Sequence, residues 1–174
     1  MEVLFEKYNI NEFKDKKIIN KFELSNSFGM KCERIVFEDH SSIVLKYYEN
    51  KIDDFNAIIS EANSLSYLRS RFQNLFPKVH FVNEKLLVMD YISHNGIKGD
   101  DFQKQLAFHV TKIHNIKNNQ FGFEYDTPIG GLKQPSNFSS NWIDFYREKR
   151  LGMIFELINN SNPMPNEINI GLEK

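Results

Sequence analysis

Residues 121–151, FGFEYDTPIGGLKQPSNFSSNWIDFYREKRL, restrict the fold more than any other stretch of the chain. Gly122, Pro128, Gly130, Gly131 and Pro135 punctuate its first half, and no helix passes through them. The paired glycines supply backbone angles closed to other residues. Asn141 is placed as an N-cap directly before Trp142, Phe145 and Tyr146, which recur at helical spacing, with Arg147, Lys149 and Arg150 farther along. The spacing predicts a long aromatic loop docked on a surface, then an amphipathic helix. Loops of this length in compact domains are functional or disordered, and the aromatic content argues against disorder.

Upstream, residues 3–13 read as a helix with Leu4, Phe5, Tyr8 and Phe13 available for packing. Residues 17–25 read as a strand and 25–29 as a turn. Residues 32–38 and 41–48 are β-rich runs around Asp39-His40, a hairpin pattern. A helix is expected over 53–72, where Phe55, Ile58, Ile59, Ala62, Leu65, Leu68 and Phe72 repeat with helical period and Asp53 and Asp54 sit at the positive end. Residues 79–82 and 86–92 form a second hairpin around Asn83-Glu84. Residues 93–99 read as a linker and 100–116 as a helix with Phe102, Leu106, Ala107, Val110 and Ile113 on one side, Asp100 and Asp101 capping its start. Residues 159–166 break the last helix, leaving a short remnant over 167–174.

The composition is that of a globular chain, with 41% hydrophobic and 26% charged residues. The net charge is −1 and no basic block occurs, so nucleic-acid binding by electrostatics is not expected. Cys32 is the sole cysteine, which excludes an internal disulfide and makes a reducing, cytoplasmic compartment the default expectation. No apolar run approaches membrane-spanning length, so no membrane partner is expected.

Two residues could meet to do chemistry. Lys46 shares a strand face with Val44 and Tyr48. Glu61 precedes Leu65 by four positions and Leu68 by seven, so it falls inside or beside the apolar arc of its helix. A carboxylate there is costly unless paired. On spacing alone, an ordinary strand lysine and a helix-edge glutamate in solvent fit equally. The turn 24–30 contains Ser25, Asn26, Ser27 and one glycine, Gly29, a sparse version of a phosphate-cradling loop. Cys32 reads as packing. The five histidines lack the spacing of a zinc site, and His109 and His114 read as helix packing or capping residues. Leu87-Val88-Met89-Asp90-Tyr91-Ile92 fits a plain edge strand as well as a functional one.

Phe121-Gly122-Phe123, Ile129-Gly130-Gly131, Gln134-Pro135, Asn141-Trp142, Phe145 and the run from Arg147 to Leu151 together resemble a segment of the fructosamine/ketosamine-kinase family. That family is similar in fold to aminoglycoside phosphotransferases and, more remotely, to protein kinases. The resemblance implies an α+β fold: a protein-kinase-like small lobe over 1–92, with an antiparallel sheet of about five strands plus one long helix. A hinge or linker over 93–99 and a truncated helical large lobe over 100–174 would follow. It implies ATP as cofactor, with magnesium, and a ketosamine-type small molecule or glycated protein as acceptor of the phosphoryl group. Lys46 and Glu61 take the places of the strand lysine and its partner glutamate, and Gly29 that of the phosphate loop. Met89, Asp90, Tyr91 and Ile92 take the place of the hinge that receives the adenine edge. Gln134 and Trp142 fall on the substrate side.

The family's catalytic machinery begins with His-Gly-Asp and a following Asn, and no His-Gly-Asp or His-x-Asp occurs in this chain. No catalytic residue and no metal ligand is therefore assigned. The resemblance runs over roughly residues 17–156, the N-terminal part of the family's length, so the chain is expected to be inactive alone. Self-association, or a separate chain carrying the missing half, is the corresponding partner expectation. The alternatives are a non-catalytic nucleotide- or partner-binding remnant and an aminoglycoside- or choline-type small-molecule kinase fragment.

Overall fold

The computed structural model describes residues 5–6, 8–49, 55–163 and 165. The chain divides into two compact units, one of residues 1–96 with 128–132, the other of 97–127 with 133–174.

The first unit is built on a five-stranded sheet. Its strands are β1 (Ile18–Ser27), β2 (Met30–Phe37), β3 (Ser42–Tyr48), β4 (Val79–Val82) and β5 (Leu86–Asp90), and the helix α1 (Ala57–Arg71) belongs to the same unit. The strand order is β1-β2-β3-β5-β4, and every pairing is antiparallel. The alternation of β2 and β3 explains the sheet: each buries side chains on both faces, so both faces must be covered. One face carries Ile35, Phe37, Ile43, Leu45, Leu86 and Val88 and is closed by Phe5, Ile10 and Phe13 from the N-terminal segment. The opposite face carries Cys32, Val44, Leu87 and Met89 and is closed by Ile58 and Ala62 of α1.

The expected helix over 3–13 lies partly outside the described residues: residues 5 and 6 are helical, and the chain turns beyond them. Residues 8–15 form turns, with Ile10 N–H donating to Phe5 O at 2.8 Å and Phe13 N–H to Ile10 O at 3.1 Å. The segment brings two phenylalanine rings and an isoleucine, Phe5, Phe13 and Ile10, onto one sheet face. β1 also runs farther than expected, through Ser27, so the turn shrinks to Phe28-Gly29. Both residues have positive φ, +52° and +69°. α1 begins later than expected. Asn56 is its N-cap, its side chain accepting from Ile59 N–H at 3.1 Å, and no acidic residue lies in the first turn. Asp53 and Asp54 lie outside the described residues.

The second unit contains α2 (Phe102–His114), α3 (Trp142–Tyr146), a π-helical segment (Arg147–Gly152) and α4 (Met153–Ser161). Asp101 occupies the N-cap position of α2, yet its side chain makes no capping hydrogen bond, contrary to the expected cap. Asn141 does cap α3, accepting from Ile143 N–H at 2.8 Å. The stretch expected to be loop contains a short hairpin, β6 (Thr127–Ile129) and β7 (Leu132–Gln134). Gly130, at φ +60°, opens its two-residue turn, the glycine-first pattern of a II′ hairpin. Within the second unit the loop is cross-tied. Phe121 and Ser139 exchange both backbone hydrogen bonds at 2.8 Å, and Phe123 N–H donates to Ser136 O at 2.6 Å. Gly122, at φ +125°, passes so close that a Cβ would meet Ser136 O at 2.6 Å. Arg150 reaches back from the π-helical segment to donate to Pro135 O at 2.6 Å. The expected single helix after Asn141 is thus interrupted, and the remnant over 167–174 lies outside the described residues.

Candidate functional site

Lys46 sits in the middle of the sheet, opposite Cys32 of β2 and Leu87 of β5. Strand alternation puts it on the α1 face with Val44 and Tyr48. On α1, Glu61 follows Ile58 by three positions and precedes Leu65 by four, and both of these pack into the sheet-facing cluster. The two periodicities converge. Lys46 Nζ donates to Glu61 Oε1 at 2.6 Å and to Oε2 at 2.8 Å. The side chains retain 23% and 25% exposure, so the pair is half-buried rather than sealed in the core. Helix position is fixed at the same end of the sheet. Tyr48 Oη accepts from Ala57 N–H at 2.9 Å, and Asn56 Nδ2 donates to Glu84 O at 2.7 Å. Cys32, buried beside the lysine, has its thiol pushed up by burial, which keeps it protonated and inert.

The same sheet face continues to the end of β5. Met89 lies opposite Val44 and is 9% exposed. Asp90 closes β5. Its backbone N–H donates to Lys78 O at 3.0 Å, and its carboxylate accepts from Lys78 N–H at 2.8 Å and contacts His80 Nε2 at 2.7 Å. Burial pushes the Asp90 pKa up, but the bonds from Lys78 and His80 more than reverse this and hold it below the ordinary carboxylate value. Tyr91 packs against the α1-side cluster, while Ile92 is 58% exposed.

Gly29 lies in the tight turn after β1, where Phe28 is 65% exposed. Residues 128–132 belong to this same unit, and Gly130 and Gly131 lie against the Phe28 ring. Gln134 and Trp142 lie in the second unit. Gln134 Oε1 accepts from Thr127 Oγ1 at 3.5 Å. Trp142 is 52% exposed, its ring 5.5 Å from those of Phe121 and Tyr146.

One site-face residue was not singled out by spacing. Arg34 of β2 stands opposite Val44 and Phe22 and alternates with Cys32 onto the lysine's face. Its guanidinium is 4.0 Å from the centroid of the Tyr91 ring. The strand alternation of Cys32 and Arg34 was the available signal.

The geometry brings a lysine–glutamate pair and the end of β5 onto one sheet face. The likeness to solved structures lies in fold. A candidate fructosamine-3-kinase from Thermobifida fusca superposes with a TM-score of 0.76 at 18% identity, over 97% of this chain and 58% of that one. Another from Haemophilus somnus gives 0.73 at 19% identity, over 92% and 54%. A chloroplastic protein-ribulosamine 3-kinase of Arabidopsis thaliana is 37% identical over 73 residues, which is 41% of this chain and 22% of the relative. A probable ketoamine kinase of Vibrio parahaemolyticus is 24% identical over 103 residues, 56% of this chain and 36% of the relative. The chain thus spans about a fifth to a third of the curated relatives it matches, and just over half of the solved chains. The fructosamine kinase family model matches residues 11–170, nearly the whole length, and the chain belongs to that family.

Proposed function

We propose that these residues form the nucleotide-holding part of an ATP-dependent ketosamine kinase. The carrying observation is the Lys46–Glu61 pair at 2.6 and 2.8 Å, on the sheet face shared with Met89 and Tyr91, in a chain of the fructosamine kinase family. A carboxylate that grips a strand lysine from a neighbouring helix aims the ammonium, and an aimed ammonium binds phosphate oxygens at little further entropic cost. In this reading Gly29 lets the backbone approach the phosphates, and Asp90, Tyr91 and Ile92 offer main-chain groups to the adenine edge. Magnesium would accompany the phosphates and offset their charge. Gln134 and Trp142 would face the acceptor, a ketosamine sugar on a small molecule or protein. The organisation proposed is a small lobe over 1–92, a linker over 93–99 and the start of a large lobe over 100–174, in a reducing, cytoplasmic compartment.

Transfer itself demands a base and metal-holding aspartates, and no position in this sequence matches the family's His-Gly-Asp. We therefore place ATP binding in these residues and phosphoryl transfer outside them. The test is calorimetric titration of the purified chain with magnesium-ATP, together with an assay for phosphorylated fructosyl-amine. ATP binding that disappears in Lys46→Ala, without product, is expected. Absence of ATP binding overturns the reading of the site, and product formation overturns the division of labour.

A partner-binding role is the second reading. No residue of α2 is buried, although Phe102, Leu106 and Phe108 are 42%, 51% and 53% exposed. Apolar surface left open in this way fits a second polypeptide, either another copy or a chain carrying the rest of a large lobe.

A further inference from the structure

We propose that Arg34 is a positioning residue for the adenine-binding segment: it pins Tyr91, and through Tyr91 the backbone that receives the base. This rests on the nucleotide reading of the site. Three observations carry it. Arg34 ties three neighbouring parts of the sheet together, because Nε and Nη2 donate to Ser42 Oγ of β3 at 3.1 and 3.0 Å while the guanidinium lies 4.0 Å from the Tyr91 ring centroid. The Phe22 ring of β1 stands on the same cation at 5.8 Å. Among the described residues no carboxylate lies within salt-bridge reach of this half-buried cation, so aromatic faces supply its compensation.

The consequence is local order where order matters. Tyr91 is the first residue after β5, past the last ladder pair between Ile43 and Asp90. A cation–π contact of this partly desolvated kind favours one position of the ring. A hydrogen-bonding edge that is already in place binds a base without first paying to become ordered. The Ser42 bonds fix the guanidinium plane, so Arg34 is itself held before it holds Tyr91.

The test separates base from phosphate. The purified chain is titrated with ATP and with inorganic tripolyphosphate, using wild type, Arg34→Ala, Arg34→Gln, Tyr91→Leu and the Arg34→Ala/Tyr91→Leu double variant. Arg34→Gln retains a donor for Ser42 without the charge over the ring, and it carries the test if Arg34→Ala fails to fold. ATP affinity is expected to fall about five- to tenfold in each single variant. The double variant should be no weaker than either single, because both remove one interaction. Tripolyphosphate affinity should be unchanged throughout. Equal ATP affinity in wild type and the Arg34 variants overturns the proposal alone, as does additive loss. Parallel loss of ATP and tripolyphosphate also overturns it, since Arg34 would then act on the phosphates or on the fold. Wild type that binds tripolyphosphate but not ATP overturns the base site, and wild type that binds neither overturns the nucleotide reading and this proposal together.

Discussion

Lys46 and Glu61 show how far a contact distance can be converted into stability. Their contacts of 2.6 and 2.8 Å are as short as those of a sealed ion pair, yet about a quarter of each side chain is exposed. Removing one partner of a fully buried pair costs about 3–5 kcal/mol, whereas an exposed pair contributes under about 1. Glu61→Ala should therefore lower the unfolding free energy by about 1–2 kcal/mol, and Glu61→Leu, which completes the apolar arc with Ile58 and Leu65, should recover part of it. Urea unfolding of the three proteins decides this, and a loss at the buried-pair level would show that water screens the site less than its exposure implies. His80 supplies a second case. It stands at the register shift of β4 on β5, where a bulge re-aims the side chain, and its ring is 2.7 Å from carboxylates on both sides, Glu12 and Asp90. The His80 bond holds Glu12 below the ordinary carboxylate value, and Asp90 is lowered as well. A carboxylate whose folded pKa is depressed contributes stability above its unfolded pKa and loses it as the pH falls through the folded value. The melting midpoint should accordingly drop below about pH 4, and the drop should flatten in His80→Gln. Identical acid slopes for the two proteins would assign the acid sensitivity to other carboxylates.

Elements differ in how tightly their shape is fixed by a single residue. The β6–β7 turn is a clear case, because a Cβ at Gly131 would overlap the Phe28 ring. Gly131→Ala should displace Phe28 or the turn, cost about 1–3 kcal/mol by overpacking, and alter the Phe28 environment in an NMR spectrum. An unchanged Phe28 signal would mean that the hairpin tip yields freely. The same contrast explains which elements were legible in the sequence. The five-stranded sheet and α1 were readable because burial imposes periods of 2 and 3.6, and Lys46 and Glu61 lie where those periods meet, although spacing alone fits an unpaired lysine and glutamate equally and only the family resemblance joins them. Of the expected helix over 3–13, the part beyond residue 8 gives way to turns, which place Ile10 and Phe13 on the core without any period. β6 and β7 are three residues each, too short for alternation to register, and they lay in a stretch read only as loop. The π-helical segment keeps helical spacing to within one residue, so no pattern of side chains announces it. Arg34 was passed over because a cation–π contact leaves no spacing rule, only a strand face shared with Cys32.

At the scale of the whole molecule, the distribution of exposed apolar surface is uneven. The sheet of the first unit is covered on both faces, and its central residues Ile35, Leu45, Leu87 and Val88 are at most 1% exposed. The helices of the second unit are not comparably covered. α2 buries no residue, and in the later helical stretch Trp142, Ile143, Leu151 and Ile154 remain 52%, 68%, 49% and 41% exposed. No helix among the described residues is long and apolar enough to cross a membrane, so a bilayer-spanning helix does not account for this surface. The fold likeness covers 58% of the Thermobifida fusca chain. Apolar surface on this scale drives association when nothing covers it, because each buried side chain of this size gains about 1.5–3 kcal/mol on leaving water. The purified chain should therefore self-associate as its concentration rises, measured by light scattering, and should bind an apolar dye in its dilute state. Leu106→Lys and Ile154→Lys, at positions already half-open to solvent, should weaken association and dye binding together. They should change the unfolding free energy by less than about 0.5 kcal/mol, because neither side chain contributes to a closed core. Dye binding and association that fall only when the variants also lose stability would trace the effect to partial unfolding. A wild-type chain that stays monomeric at every concentration and binds no dye would show that the open helices are not adhesive, and would remove the support for the partner-binding role.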